Sequence, residues 1–366
     1  MKIDSGLEVT KSDGKMQIDS RSNTFFKFLR AVAITGVIYR HVSLDEYMLN
    51  TDFWSQHFFL LTYFLLGSFT VSLFIFLAGY FGVASYRKST ALVFWKKRFT
   101  RLGIPYLFWS LVILLIGVLI FQHTYSCRRL AWILLSGKAC LPFYFFVVLF
   151  QLALLTPFLF AWAKNRTFMW LTYVVSFLYV AGYGYAYIFY NTPFSLGVTP
   201  VTLFVPWLAL YWSGMLCNLY EDEIHSWLHR RKNFLLSLTV IAYLCSFGSI
   251  MYLFHVQNIQ TTLVFRNLTI FTFIPINLLL FVLFYYRHTV IRNQSVTLIG
   301  SYSYGIFLIH MPFLWLLSKI HFFQAIREFP VPYTAIMTLA TLCCCVIAIS
   351  MTRNILGKKN AAWIGF

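Results

Sequence analysis

Runs of about twenty apolar residues recur along this chain, separated by short polar segments that hold most of its lysine and arginine. A helix rises 1.5 Å per residue, so about 20 residues cross the ~30 Å hydrocarbon layer of a bilayer. Open strands or loops would leave backbone groups unpaired in lipid, so each run reads as a helix. The pattern predicts ten such helices, with approximate limits 24–43, 58–83, 103–121, 141–161, 168–189, 199–218, 234–254, 267–286, 296–318 and 333–352. The second run is long and fits either a tilted helix or a span preceded by an interfacial segment before Gly67. The expected fold is therefore all-α, a helical bundle of about ten transmembrane helices.

Composition supports this class. The chain is 60% hydrophobic and only 11% charged, too little polar surface for a soluble protein of 366 residues. The formal charge of +18 raises the question of nucleic acid. The basic residues lie between apolar runs rather than on one globular face, which points to membrane lipid as partner and to no nucleic acid. With the N-terminus placed inside, the inside segments carry 21 Lys and Arg and the outside segments 6. Short cytoplasmic loops are enriched in these residues, so both termini are expected in the cytoplasm. Residues 1–23 are polar without an apolar core, and are expected as a cytoplasmic tail rather than a signal peptide. The membrane region is expected over 24–353, followed by a second tail over 354–366. No internal repeat is evident, which disfavours the common secondary-transporter folds.

One stretch breaks the apolar pattern. Residues 25–43 read FFKFLRAVAITGVIYRHVS and place Arg30, Arg40 and His41 inside the first run. Eleven residues at 100° each leave Arg30 and His41 about 20° apart around a helix and roughly 16 Å apart along it. A charge deep in a span costs about 2.5–3.5 kcal/mol even on an insertion scale, so this face should turn toward a polar interior. Taken singly, each residue has a plainer reading: Arg30 could snorkel to phosphates at one end, and Arg40 and His41 could mark the other interface. A second basic element, WKKRFTRLGIPY at 95–106, precedes the third run. Arg98 and Arg101 are three residues apart and neighbours on one helical face. They form either an ordinary basic cluster on anionic lipid or an anion site in which two guanidiniums grip a phosphate.

The seven cysteines show no CxxC spacing, and Cys343, Cys344 and Cys345 lie within an apolar run. Cys127 and Cys140 share one loop and could pair if it faces an oxidising compartment. His225 and His229, four residues apart in a segment expected to be an inside loop, could chelate a metal but read more simply as a solvated helix; no metal is expected.

The order and spacing of these elements resemble the integral-membrane acyltransferase family 3, which includes O-antigen and exopolysaccharide O-acetylases. Arg30, ten residues and His41 match its first-helix motif, and Arg98-Phe99-Thr100-Arg101 its Arg-x-x-Arg motif, with Pro105 and Tyr106 following. LFIFLAGYFG at 73–82 and IGSYSYGIFLIHMP at 299–312 are similar to two further family blocks, and the likeness runs from about residue 24 to about 350. Two departures stand out: Ala78 takes the place of a usual Ser, and Phe143 that of a frequent Trp. The Gly residues of AGYFG read as helix-packing positions rather than a phosphate loop.

The resemblance implies transfer of an acyl group, commonly acetyl, from cytoplasmic acyl-CoA as co-substrate to a sugar hydroxyl of a surface polysaccharide or its lipid-linked precursor. It implies a multi-pass protein of the bacterial inner membrane, working beside polysaccharide-assembly proteins. His41 would be catalytic, and Arg30, Arg98 and Arg101 would hold the donor. Such chemistry needs a base for the hydroxyl and donors for the developing oxyanion. An imidazole suits the first task at neutral pH. Tyr304, Ser303 and His310 are candidates for contact with substrate or oxyanion, although Tyr304 and Ser303 could equally join helices and His310 could be a buried structural histidine. The rival reading is a transporter or flippase exporting a polysaccharide precursor, which needs no acyl-CoA. A relay that passes its acyl group to a partner protein is a third possibility.

Overall fold

A computed structural model describes residues 23–43, 53–190, 202–255, 268–289 and 293–366. Among these residues there is no strand. Each apolar run of the sequence falls on a helix. We label them α1 (residues 23–43), α2 (Phe53–Thr62, continued through Tyr63–Gly67 and Ser68–Tyr86) and α3 (Ala91–Arg98, continued through Phe99–Gly103 and Ile104–Phe121). There follow the short α4 (Cys127–Ser136), then α5 (Tyr144–Trp162), α6 (Arg166–Tyr190), α7 (Val205–Leu219), α8 (Glu221–His255) and α9 (Leu268–Tyr285). The last are α10 (Gln294–Leu317), the five-residue α11 (His321–Ala325) and α12 (Pro330–Ala361). Among the described residues, seven helices are long and apolar enough to cross a membrane, and Phe271–Tyr285 is a shorter apolar helix. The molecule is a polytopic all-α membrane protein.

The two remaining expected spans depart from the simple pattern for a shared reason. α1 carries Lys27, Arg30 and Arg40, and α7 has only 15 residues. Neither is a lipid-facing helix. Phe26, Ala33, Ile34, Val37 and Ile38 of α1 are buried, as are Trp207, Tyr211, Trp212 and Met215 of α7. The two sit inside the bundle, while α3, α6 and α8 expose most of their surface.

Close crossings fix this interior. α2 and α7 meet at two glycines: a Cβ on Gly79 would overlap the Tyr211 carbonyl, and one on Gly214 the Phe76 carbonyl. Small residues let membrane helices approach until their backbones touch. This is the packing role expected for the AGYFG stretch. α1 and α10 meet in the same way, with Gly300 against the carbonyl of Lys27. Ten residues further along α10, His310 lies beside His41, fourteen residues further along α1, so the two helices run in the same direction.

Helix limits differ from expectation mainly at charged segments. Thr90, whose side chain accepts from the Val93 amide, caps α3, and the helix then runs through the basic residues 96–101 without a break. α8 likewise contains residues 230–232, so His225 and His229 lie on its first turns rather than in a loop. There His225 stacks on Tyr285 with ring centroids 5.3 Å apart, and His229 Nδ1 is 3.1 Å from the Tyr285 hydroxyl. The one ion pair among the described residues, Arg287 Nε to Glu221 Oε1 at 2.7 Å, ties the start of α8 to the end of α9. Cys127 is exposed and Cys140 half-buried, and both are free thiols. α12 continues beyond residue 353 to Ala361, with non-helical backbone at Gly357.

Candidate active site

A cavity of about 290 Å³ opens among α1, α2, α3, α5, α7 and α10. Arg30 and Arg98 both line it. The Arg30 guanidinium lies 4.8 Å over the Phe81 ring, and Arg98 Nη2 donates to the Phe81 carbonyl oxygen at 3.2 Å. Phe81 thus holds both cations, one by its ring and one by its backbone. A guanidinium has five N–H donors, so these contacts leave most of the hydrogen-bonding capacity of the pair available. Neither arginine forms an ion pair among the described residues. The polar face of α1, expected to turn toward a polar interior, does so at Arg30, which lines the cavity.

Arg98 and Arg101 part company here. The segment Phe99–Gly103 is a π-turn, with backbone bonds reaching one residue further than in an α-helix. Arg98 points into the cavity, whereas Arg101 is exposed and does not line it. The expectation that the two share a helical face assumed regular α geometry; the π-turn widens their spacing, and of the two only Arg98 lines the cavity.

The same turn decides the role of Tyr304. Its hydroxyl is 3.2 Å from the Arg101 carbonyl and 3.3 Å from that of Leu102. Carbonyls only accept, so the single O–H of Tyr304 is committed to the backbone and is not available to an oxyanion. Tyr304 ties α10 to α3. Ser303 is buried and lines the cavity, as does Ala78, whose methyl leaves that wall without the hydroxyl usual in the resembling family. Tyr211 is a lining residue that no sequence pattern marked. Thr156 donates to Leu152 O at 3.0 Å, so the Tyr211 hydroxyl donates to Thr156 Oγ1 at 2.7 Å.

Farther along α1 and α10, beyond this cavity, His41 and His310 face each other with ring centroids 5.3 Å apart and planes tilted by 36°. His41 is half-buried and His310 fully buried. Between the histidines and the arginines stands Phe307, which lines the cavity on one side and packs 5.8 Å from His310 on the other. Phe145 and Phe146 support its ring at 5.1 and 5.6 Å. The site so described has a cationic chamber at one end, a histidine pair at the other, and an aromatic partition between. Among the described residues, no three side chains of the metal-ligating types come together.

These features define a multi-pass membrane protein with a basic internal chamber separated by an aromatic partition from a pair of imidazoles. A family model described as an acyltransferase domain, of the acyltransferase 3 type, matches residues 23–350, and the chain belongs to that family. It is a membrane acyltransferase, and the transporter reading is left without support. A search of curated proteins gives no match, nor does a search of solved structures.

Proposed function

We propose that the protein is an O-acyltransferase that moves an acyl group, acetyl in the simplest case, from cytoplasmic acyl-CoA to a sugar hydroxyl of a bacterial surface polysaccharide or its lipid-linked precursor. Its place in this reading is the inner membrane, with the lysine- and arginine-rich end of the bundle facing the cytoplasm. The observation that carries it is the juxtaposition of two arginines that meet no carboxylate among the described residues, one chamber, and two histidines along α1 and α10.

The chamber's size speaks to how a donor would sit. At about 290 Å³ it lies at the lower edge of the range of roughly 300–1,000 Å³ typical of small-molecule pockets. A whole nucleotide-bearing donor exceeds it, while an extended thioester arm fits. The phosphates would remain near Arg98, where a guanidinium can grip them in a fork, with the exposed Arg101 and Lys97 adding a screened field at the mouth. Arg30 would steady the arm at its entry.

The arm then leads past Phe307 toward His41. The acceptor hydroxyl attacks the thioester carbonyl while His41 takes its proton, the C–O bond forms, and the C–S bond breaks to release CoA thiolate, which recovers the proton. Ser303, buried in the chamber wall, is the remaining hydroxyl candidate for contact with substrate or oxyanion.

Two measurements test the reading. The surface glycan of cells with and without the gene should differ by one O-acyl signal at unchanged chain export. His41→Ala should abolish that signal at normal protein level. Blocked export with unaltered acylation, or substantial acylation in the His41 variant, would overturn it.

A further inference from the structure

Among the described residues, Nε2 of His310 is one of five buried side-chain polar atoms without a hydrogen-bond partner, and of these it lies beside the histidine of the candidate site. Its ring is fully buried on α10. The other nitrogen, Nδ1, lies 2.9 Å from the Phe307 carbonyl and 3.2 Å from that of Ile306. Both oxygens can only accept, so the ring proton sits on Nδ1. In the neutral ring Nε2 is then a bare lone pair. A buried acceptor without a donor is rare because its lost hydration is not repaid, and such groups call for an explanation.

The explanation lies 5.3 Å away in the ring of His41. Ten residues before His310, Gly300 packs α10 against the backbone of α1, which keeps the two helices side by side on the approach to the pair. His310 is clamped by its own helix, whereas His41 is half-buried and has no such clamp. The planes are tilted by 36°, and of the two rings His41 is the one whose N–H a rotation about its side-chain torsions would bring toward Nε2.

We propose that His310 is the positioning residue of a two-histidine base, its Nε2 accepting the N–H of His41 so that the opposite nitrogen of His41 faces the acceptor hydroxyl. The inference rests on the acyl-transfer reading given above. As the C–O bond forms and the C–S bond breaks, the hydroxyl proton passes to His41. The imidazolium's other N–H stays bonded to His310, and the proton then goes to the departing CoA thiolate. A carboxylate holds the histidine in this way in serine hydrolases. A neutral imidazole performs the same service without placing a second charge within the membrane. The assignment also excludes His310 as an oxyanion donor, because its one N–H is already spent on Phe307 and Ile306.

The test compares two amides at position 310 in the full chain, reconstituted in nanodiscs of phosphatidylethanolamine and phosphatidylglycerol. The probe is acetyl-CoA with water as the acyl acceptor, and free CoA is quantified by chromatography. His310→Asn can donate to the Phe307 carbonyl but is too short to place an acceptor where Nε2 lies. His310→Gln reaches that place. The expected losses in kcat are about 10²–10⁴-fold for Asn and no more than about tenfold for Gln, with KM for acetyl-CoA within threefold of the parent in both. A role in packing alone would not separate the two amides in kcat at constant KM. Equal activity of the two variants, or an Asn variant as fast as the parent, overturns the proposal. A parent chain that neither binds nor cleaves acetyl-CoA overturns the acyl-transfer reading itself, and His310's role with it.

Discussion

The sharpest prediction concerns two arginines that the sequence presents as equivalent. Arg98→Gln removes a guanidinium that lines the chamber and has one donor fixed on the Phe81 carbonyl. Hydrogen bonds to charged groups contribute about 1.5–3 kcal/mol each. Loss of one such bond to a donor phosphate should therefore raise the Kd for acetyl-CoA by about 10–150-fold. Arg101→Gln removes an exposed cation outside the chamber. Exposed ion pairs contribute about 0–1 kcal/mol, so the Kd should rise no more than about fivefold. Salt separates the two further. The Debye length falls from ~10 Å at 0.1 M to ~3 Å at 1 M, so added salt should erase the small Arg101 effect and leave most of the Arg98 effect. The assay is equilibrium binding of acetyl-CoA to nanodisc-embedded protein at low and high salt, with a thermal melt to confirm folding. An Arg101 effect equal to or larger than that of Arg98 would refute the division of labour derived from the π-turn.

Two further substitutions probe the chamber walls. Tyr304→Phe should leave kcat within about threefold and cost about 0.5–1.5 kcal/mol in stability, because the hydroxyl bonds to the backbone of α3; a hundredfold fall in kcat with normal melting would restore it as an oxyanion donor. Phe307→Ala should lower the melting temperature, since truncating a buried Phe costs about 3–5 kcal/mol, and should raise the rate with butyryl-CoA relative to acetyl-CoA by opening the partition. An unchanged ratio in folded protein would show that Phe307 does not bound the acyl end.

Much of the fold is legible in the residues because lipid imposes a single rule, about twenty apolar residues for each helix, and the chain obeys it at most of its spans. The exceptions obey a different rule. α7 is short and α1 is charged because both are surrounded by protein rather than lipid, and nothing within Val205–Leu219 alone distinguishes a short central helix from a short peripheral one. The basic stretch 95–101 lies outside the apolar run expected to begin near residue 103, yet the cap at Thr90 and the long aliphatic stems of Lys and Arg let one helix run through it into that run.

Within the site, what could be read was what a single unbroken helix determines. Arg30 and His41 keep their common phase because α1 has no irregularity between them. Arg98 and Arg101 are spaced more widely than α geometry predicts because FTRLG winds as a π-turn, for which those five residues give no compositional sign. That turn has a further consequence. The Arg101 and Leu102 carbonyls that Tyr304 bonds both belong to this turn, so the irregular segment is also where α10 is fastened to α3. α10 is in turn fastened to α1 at Gly300. The three helices that carry Arg98, Arg30 and the histidine pair are thus joined by one side-chain hydrogen bond and one backbone contact, and a side chain at residue 300 would have to push α1 and α10 apart. The spacing between the backbones that carry guanidinium and imidazole is therefore set by the scaffold, and Phe307, which stands between them, is the side chain that a thioester passing from one to the other would have to displace.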